Sequence, residues 1–257
     1  MFNPEEWSRL NDQDVSWCVR RLPRLVRAAM MADSRIACAG GFVRDCIARD
    51  PISDVDLFTA SKGAAEVLAY SLAGCQATPI KGSPDRKKCY ESKYAFTVKG
   101  VDHGFPVQVI HRWTFERPEH VVPSFDFTIA RAAIWYDVDA KGWRSLCAPS
   151  FYADLAAKRL VYCSPVRNED AGGSMLRLLK FYQRGYRCPL DSLGAVISRL
   201  VGGIRDEFND NQNDETQEQW RSRILTGLLF EVDPNTAVHL APYEIAASEP
   251  IDAEEEA

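Results

Sequence analysis

The sequence predicts an α+β protein, a mixed sheet with flanking helices followed by a helical segment, and three observations carry that reading. Short apolar runs alternate with helix-period stretches up to about residue 150. Two β-like runs, 94–101 and 106–110, flank Asp102-His103-Gly104 as the arms of a hairpin flank its turn. Beyond residue 150 the strand-like runs stop and only helical periodicity remains.

Taken in order, Trp7, Leu10, Val15, Val19, Leu22, Leu25 and Val26 recur at helical spacing over 4–31, with a break at Pro23, which lacks an N–H to donate. Residues 35–39 read as a short buried strand running into Gly40-Gly41. Residues 42–49 make about two helical turns, ended by Pro51. Val55-Asp56-Leu57-Phe58 returns as a strand. Ser61 is placed to cap a helix carrying Ala64, Val67, Leu68 and Leu72 on one face. Residues 77–80 fit a strand and 81–93 a polar, basic loop. The apolar stretch 125–135 is expected to become a strand near Ala132, and Trp135, Tyr136 and Trp143 are expected in the core.

Helical spacing then covers 151–160, 174–184, 193–208 and 216–230. Asp191 is a cap candidate for the third of these, whose apolar face would be Val196, Ile197, Leu200, Val201 and Ile204. Past Pro242 the chain is acidic and has no aromatic residue after Tyr243, a composition of disorder. The expected organisation is an N-terminal helical segment at 1–32, an α/β head at 33–150, a helical neck at 151–240 and an acidic tail at 241–257.

No run of about 18 apolar residues occurs, so no membrane span is expected. The first residues lack the basic-then-apolar pattern of a secretory signal. Eight cysteines are scattered without a CxxC pair or zinc-ligand spacing, the pattern of reduced thiols in a cytoplasmic protein. His111 either faces a cleft or is simply a packed or solvated histidine, and the second is favoured. The net charge of −5 hides an asymmetry: from Arg20 to Arg205 there are 28 Lys and Arg against 18 Asp and Glu, while acids crowd 206–218 and 244–256. A basic surface attracts phosphates, so nucleotides or RNA are candidate partners, and dispersed charges that merely keep the protein soluble are the equal alternative. Arg86-Lys87-Lys88, with Tyr90, Tyr94 and Trp113 nearby, is either an RNA contact or a solvated loop with aromatics packed beneath it.

The stretch that carries chemistry is Gly40-Gly41-Phe42-Val43-Arg44-Asp45 followed by Asp54-Val55-Asp56. Two glycines between a strand and a helix let the backbone approach a ligand, and the helix N-terminus offers free N–H groups to an anion. Asp54 and Asp56 share side-chain parity on a strand and point to one face. Two carboxylates held together repel each other and bind a divalent cation, with Mg2+ favouring such ligands beside substrate phosphates and Mn2+ as a substitute.

This segment resembles the head domain of the bacterial poly(A) polymerase and CCA-adding enzyme group, within the DNA polymerase β-like nucleotidyltransferase superfamily. The resemblance implies a palm-like head followed by a helical neck. It implies metal-binding catalytic aspartates at Asp54 and Asp56, and a nucleoside triphosphate lying against Gly40, Gly41, Arg44 and Asp45. Phe125-Asp126-Phe127-Thr128-Ile129 resembles the family's RRDFTINA element, which makes Asp126 a nucleotide-binding candidate. Glu169-Asp170 and the helix Leu176-Arg177-Leu178-Leu179-Lys180-Phe181 resemble its nucleotide-reading segment, which adds Arg177 and Lys180. The sequence departs from the family at Ser124-Phe125, Ala130-Arg131 and Ser174, where base choice is expected, and at Gln108, where an acidic residue often stands. The implied activity is magnesium-dependent transfer of a nucleoside monophosphate from a triphosphate to a hydroxyl, with an RNA or tRNA 3′ end as acceptor. A toxin- or defence-type enzyme with another acceptor, and a lapsed head that only binds nucleotide or RNA, are the alternatives.

Overall fold

A computed structural model of the chain describes residues 6–75, 88–163, 171–202 and 216–232. The expected strand at 77–80, Arg86-Lys87, Glu169-Asp170 and the acidic tail lie outside the described residues. The chain divides into two compact units, Met1–Pro165 and Val166–Ala257.

The first unit is built on a seven-stranded mixed sheet, in the order β3-β4-β5-β2-β1-β6-β7. The strands are β1 (Ala37–Ala39), β2 (Val55–Phe58), β3 (Cys89–Glu91), β4 (Ala95–Val98), β5 (Val107–Ile110), β6 (Ala132–Asp137) and β7 (Gly142–Cys147). All neighbours run antiparallel except β2 and β5, which are parallel. Residues paired across strands share a face, so two rows define the sheet. One row is Cys38, Leu57, Val109 and Phe96, all buried. The other is Asp56, Gln108, Thr97 and Tyr90. On that second face the neighbouring Phe58 belongs to a cluster with Ala37, Ala39, Val121, Val122, Ala133 and Leu146, capped by the 3-10 helix Pro118–Ser124.

The helices follow the expected signals closely. Pro23 separates α1 (Asp12–Arg21) from α2 (Arg24–Ala32). Helix α3 (Gly41–Ala48) ends where Arg49 turns left-handed, and Asp50 N–H bonds back to Asp45. Ser61 caps α4 (Lys62–Ala73), its hydroxyl accepting from Ala64 N–H. Against the sheet α4 sets Leu68, Ala69 and Leu72, and its Tyr70 meets the ring of Phe96 edge-on. Val67, expected on that buried face, is instead 70% exposed. The stripe is narrower than drawn because Ala65 and Ala69 occupy its centre.

Two other expectations change. The loop expected over 81–93 contains β3, which forms because Cys89-Tyr90-Glu91 can pair with 96–98 at the sheet edge. The hairpin at 102–104 is a longer connection: Val101–His103 is a 3-10 turn with Asp102 at φ +50, and the Asp102 carboxylate accepts from Leu25 N–H. Strand β6 starts at Ala132 as expected. Trp135, Tyr136 and Trp143 are half-buried rather than core, because they lie on outer strands, and the last two stack edge-on. His111 packs against Phe96, as favoured.

Past the sheet, α5 (Phe151–Ala156) is shorter than expected and belongs to the first unit. It places Asp154, fully buried, to accept hydrogen bonds from Thr128 (2.6 Å), Ser150 (2.7 Å) and Arg159 (2.7 Å). In the second unit α6 (Ala171–Gln183) packs against α7 (Leu190–Gly202) and α8 (Gln217–Val232) through Leu178, Phe181 and Trp220. Asp191 sits inside the first turn of α7 rather than before it, accepting from Ser192 N–H. Ile197 and Val201 are exposed, so the buried face of α7 is Ser192, Val196 and Leu200; Ile204 lies outside the described residues. No described helix is long and apolar enough to cross a membrane, and all eight cysteines are free thiols.

Asp154→Asn keeps the shape but sets an NH2 donor against the three donors that the carboxylate accepts from. Its expected cost is about 2–4 kcal/mol of stability, read as a lower urea midpoint with an unchanged slope.

Candidate active site

Gly40 ends β1 in a conformation open to glycine, φ +77 and ψ −125, while its N–H bonds to Ala132 carbonyl at 2.9 Å. A Cβ there would lie 2.9 Å from the ring of Phe125. The turn therefore needs glycine twice, once for its dihedrals and once for the ring above it. Gly41 is the first residue of α3, so the free N–H groups of that helix begin at the glycine pair.

The two aspartates flank the start of β2. Asp54 lies just before the strand and Asp56 is its second residue, both half-buried, with Val55 fully buried between them. This is the alternation a strand imposes. Burial first, and then the charge of Asp54, push the Asp56 carboxyl up to about 7, against the opposing pull of Arg44. Asp54 is held by two donors, Ser53 hydroxyl at 2.8 Å and the Gln108 amide at 3.0 Å. Gln108 stands opposite Asp56 in the parallel β2–β5 pair. The position where an acidic residue was expected is thus a neutral donor that orients one carboxylate beside the other.

Arg44 and Asp45 form a bidentate pair at 2.8 and 2.9 Å, and both are buried. Asp45 therefore holds the guanidinium in place within α3. Asp126 is buried just past Phe125, and its backbone carbonyl accepts from Cys163 N–H at 2.7 Å. Arg177 (half-buried) and Lys180 (exposed) lie on α6 in the second unit. The structure thus brings Gly40, Gly41, Arg44, Asp45, Asp54 and Asp56 into one strand–helix–strand unit.

Three functional features were not read from the sequence. Phe125 packs edge-on against Phe58 and fills the space over Gly40. Arg131 donates to the carbonyls of Pro123, Phe125 and Cys163, which fixes the loop carrying Asp126. Burial lowers the Arg131 pKa, yet those three acceptors keep its head occupied. Phe125 and Arg131, two of the positions where base choice is expected, thus also hold this loop in place. The Gln108–Asp54 bond depends on a contact 54 residues apart, which no local pattern signals.

Among the described residues no group of three or more His, Cys, Asp or Glu side chains could hold a metal ion. Two close carboxylates with an amide donor do fit a cation whose other ligands are water and substrate phosphates, the habit of Mg2+. They do not form a closed protein cage.

The sequence matches, over residues 8–158, the family described as Gad2, Gabija anti-defense 2 family protein. No curated protein matches it. Among solved structures it resembles the Thermotoga maritima CCA-adding enzyme complexed with tRNA, with a TM-score of 0.50 and 16% identity over 90% of this chain and 53% of that one. A CCA-adding enzyme in apo form I gives a TM-score of 0.50 and 15% identity over 93% and 55%. The fold is therefore nucleotidyltransferase-like, and the chain spans about half the length of those enzymes.

The raised Asp56 pKa has a defined sign for stability. The folded protein holds the proton more tightly than the unfolded chain, so the penalty is absent below about pH 4, grows as pH rises, and is complete above about 7. In metal-free buffer Asp56→Asn should melt above wild type at pH 8, by about 1–2 kcal/mol once solvent screening is allowed for, and level with it at pH 4. A variant melting lower at pH 8 would contradict the carboxylate repulsion. Gly40→Ala should lose about 2–3 kcal/mol, from its positive φ and the Phe125 contact together; denaturant unfolding reads this directly.

Proposed function

The chain belongs to the Gabija anti-defense 2 family, and from that premise we propose that it is a metal-dependent nucleotidyltransferase serving a counter-defence role in the cytoplasm. The observation that carries the reading is the Asp54/Asp56 pair. Burial, and then the charge of Asp54, push Asp56 up to about 7, on the same strand–helix–strand unit as a glycine turn and a helix N-terminus. That combination costs stability, and Arg44 relieves only part of the cost. Such a cost is the mark of a site kept for binding charge.

In this reading Asp54 and Asp56 hold Mg2+ or Mn2+, which supplies charge neutralisation at the triphosphate and activation of the acceptor hydroxyl. Gly40 and Gly41 let the triphosphate approach the N–H groups at the start of α3. Arg44, held by Asp45, adds fixed positive charge near the aspartates. Gln108 keeps Asp54 in one orientation. Asp126 contacts the nucleoside, on a loop that Arg131 ties down. Arg177 and Lys180, on α6 of the second unit, are basic residues proposed for nucleotide binding by the family resemblance alone. The acceptor oxygen bonds to the α-phosphorus and loses its proton to solvent, and pyrophosphate leaves with the bonding electron pair. The acceptor is a hydroxyl of RNA, with tRNA included in that class.

One observation favours a second reading. A glutamine stands where a third carboxylate is expected, and its amide is already bonded to Asp54. A head that binds triphosphate and RNA without transfer would have that feature.

The test uses the full chain with each α-labelled triphosphate, Mg2+ and total cellular RNA or protein, followed by identification of what carries the label. Wild type should label RNA. Asp54→Asn should fall at least about a thousandfold, while triphosphate binding persists through the glycine turn. If wild type binds triphosphate and transfers nothing, while Gln108→Glu gains transfer, the lapsed reading replaces the enzymatic one.

A further inference from the structure

The row of side chains that contains Asp56 does not stop at Gln108. Cross-strand pairing sets Gln108 opposite Thr97, and Thr97 opposite Tyr90 on the edge strand β3. Opposed residues share a face, so Tyr90 stands on the same face as Asp56. It lies three strand spacings away, about 14 Å. The buried row on the other face confirms the parity, since Phe96 there meets Tyr70 of α4.

At its outer end this row becomes basic and aromatic. Tyr90 is 40% exposed, and Lys99 Nζ sits over its ring at 5.5 Å. Lys99 is two residues beyond Thr97 and shares its parity. Its N–H bonds to the carbonyl of Lys88, which shares the parity of Tyr90, and both lysines are exposed. The one carboxylate on β3, Glu91, has the opposite parity and is paired with Lys62 at 2.7 Å. So the edge presents an aromatic ring and two cations on the Asp56 face, with the local acid turned to the other side.

An exposed ring beside ammonium groups suits a base stacked on the ring and a phosphate on the lysines. A protein hydroxyl acceptor would need neither a stacking ring nor two cations. Resting on the transferase reading above, we propose that single-stranded RNA is the acceptor and that it crosses strands β5, β4 and β3 on this face. Its terminal hydroxyl lies at Asp54 and Asp56, and an upstream nucleotide is held by Tyr90, Lys88 and Lys99. The span of about 14 Å accommodates about four stacked nucleotides at 3.4 Å each. Thr97 and Gln108 form the floor between the two ends.

The experiment measures fluorescence anisotropy of the full chain with a 5′-labelled, mixed-sequence single-stranded oligoribonucleotide, as a function of salt. Triphosphate binding is titrated separately. Tyr90→Ala should weaken RNA binding about tenfold or more, and Tyr90→Phe, which keeps the ring, should restore it. Lys99→Gln should weaken binding and flatten the salt dependence by about 0.7 in the log–log slope, the amount for one phosphate contact on a single strand. Because Tyr90 is exposed, its variants should melt with wild type. If Tyr90→Ala binds RNA as wild type does, this inference fails and the transferase reading stands; if wild type binds triphosphate but not the RNA, this inference fails together with the RNA acceptor, and only the transfer chemistry stands. If Tyr90→Ala loses labelling of a protein while RNA binding is unchanged, the face belongs to a protein acceptor and the inference is overturned. If wild type binds neither triphosphate nor RNA, the underlying transferase reading has failed first.

Discussion

The parallel pairing of β2 with β5 is the constraint on which the rest of the first unit depends. Parallel neighbours cannot be joined by a tight turn, so the chain between Phe58 and Val107 must cross over the sheet. It does so through α4, then returns through β3 and β4 as an antiparallel edge. Helix α4 meets the face that carries Phe96, which buries Leu57 and Val109 in the same row. The opposite face is left to Asp56 and Gln108. One pairing thus settles which side of the sheet meets α4 and which side carries the polar row beside the Phe58 cluster. A shift of register by one residue would exchange them.

Polar groups on that face are arranged as a chain of supports. Ser53 and Gln108 hold Asp54, Asp54 presses on Asp56, and Asp45 holds Arg44, whose charge partly relieves Asp56. Asp154, about a hundred residues further along the chain, is treated differently from Asp56. There a fully buried carboxylate is met by two hydroxyls and a guanidinium, so its charge is compensated and it serves as an anchor. The contrast separates the two kinds of buried acid physically. Asp154 has partners enough to stabilise the fold, whereas Asp56 is left with a like charge beside it.

The loop from Pro118 to Arg131 joins these regions. Its 3-10 helix covers the apolar end of the Asp56 face, Phe125 stacks on Phe58 and covers Gly40, and Arg131 closes the loop through three carbonyls. The glycine turn and the Asp126 loop are consequently one packed assembly. A change at Gly40 is felt at Phe125, and a change at Arg131 loosens the segment that carries Asp126.

Local chemistry made much of this legible beforehand. Pro23 had to break the first helix, Ser61 could cap α4, and the glycine pair had to sit at a turn, because each acts through its own backbone or an immediate neighbour. The spacing of Asp54 and Asp56 likewise specified a shared face through strand geometry alone. What depended on distant partners could not be read that way. Cys89-Tyr90-Glu91 becomes a strand because β4 is there to pair with it, and Val67 is exposed because smaller residues fill the centre of its helix face. Gln108 appeared as a missing carboxylate until the parallel pairing set its amide against Asp54. That Arg131 and Phe125 also hold a loop was not legible, because their partners lie elsewhere in the chain. Sequence by itself determined the identity and facing of the charged pair, since both are local consequences of residue type and period. Only the tertiary structure decided what surrounds that pair, because burial, register and cross-strand partners come from residues far apart in the chain.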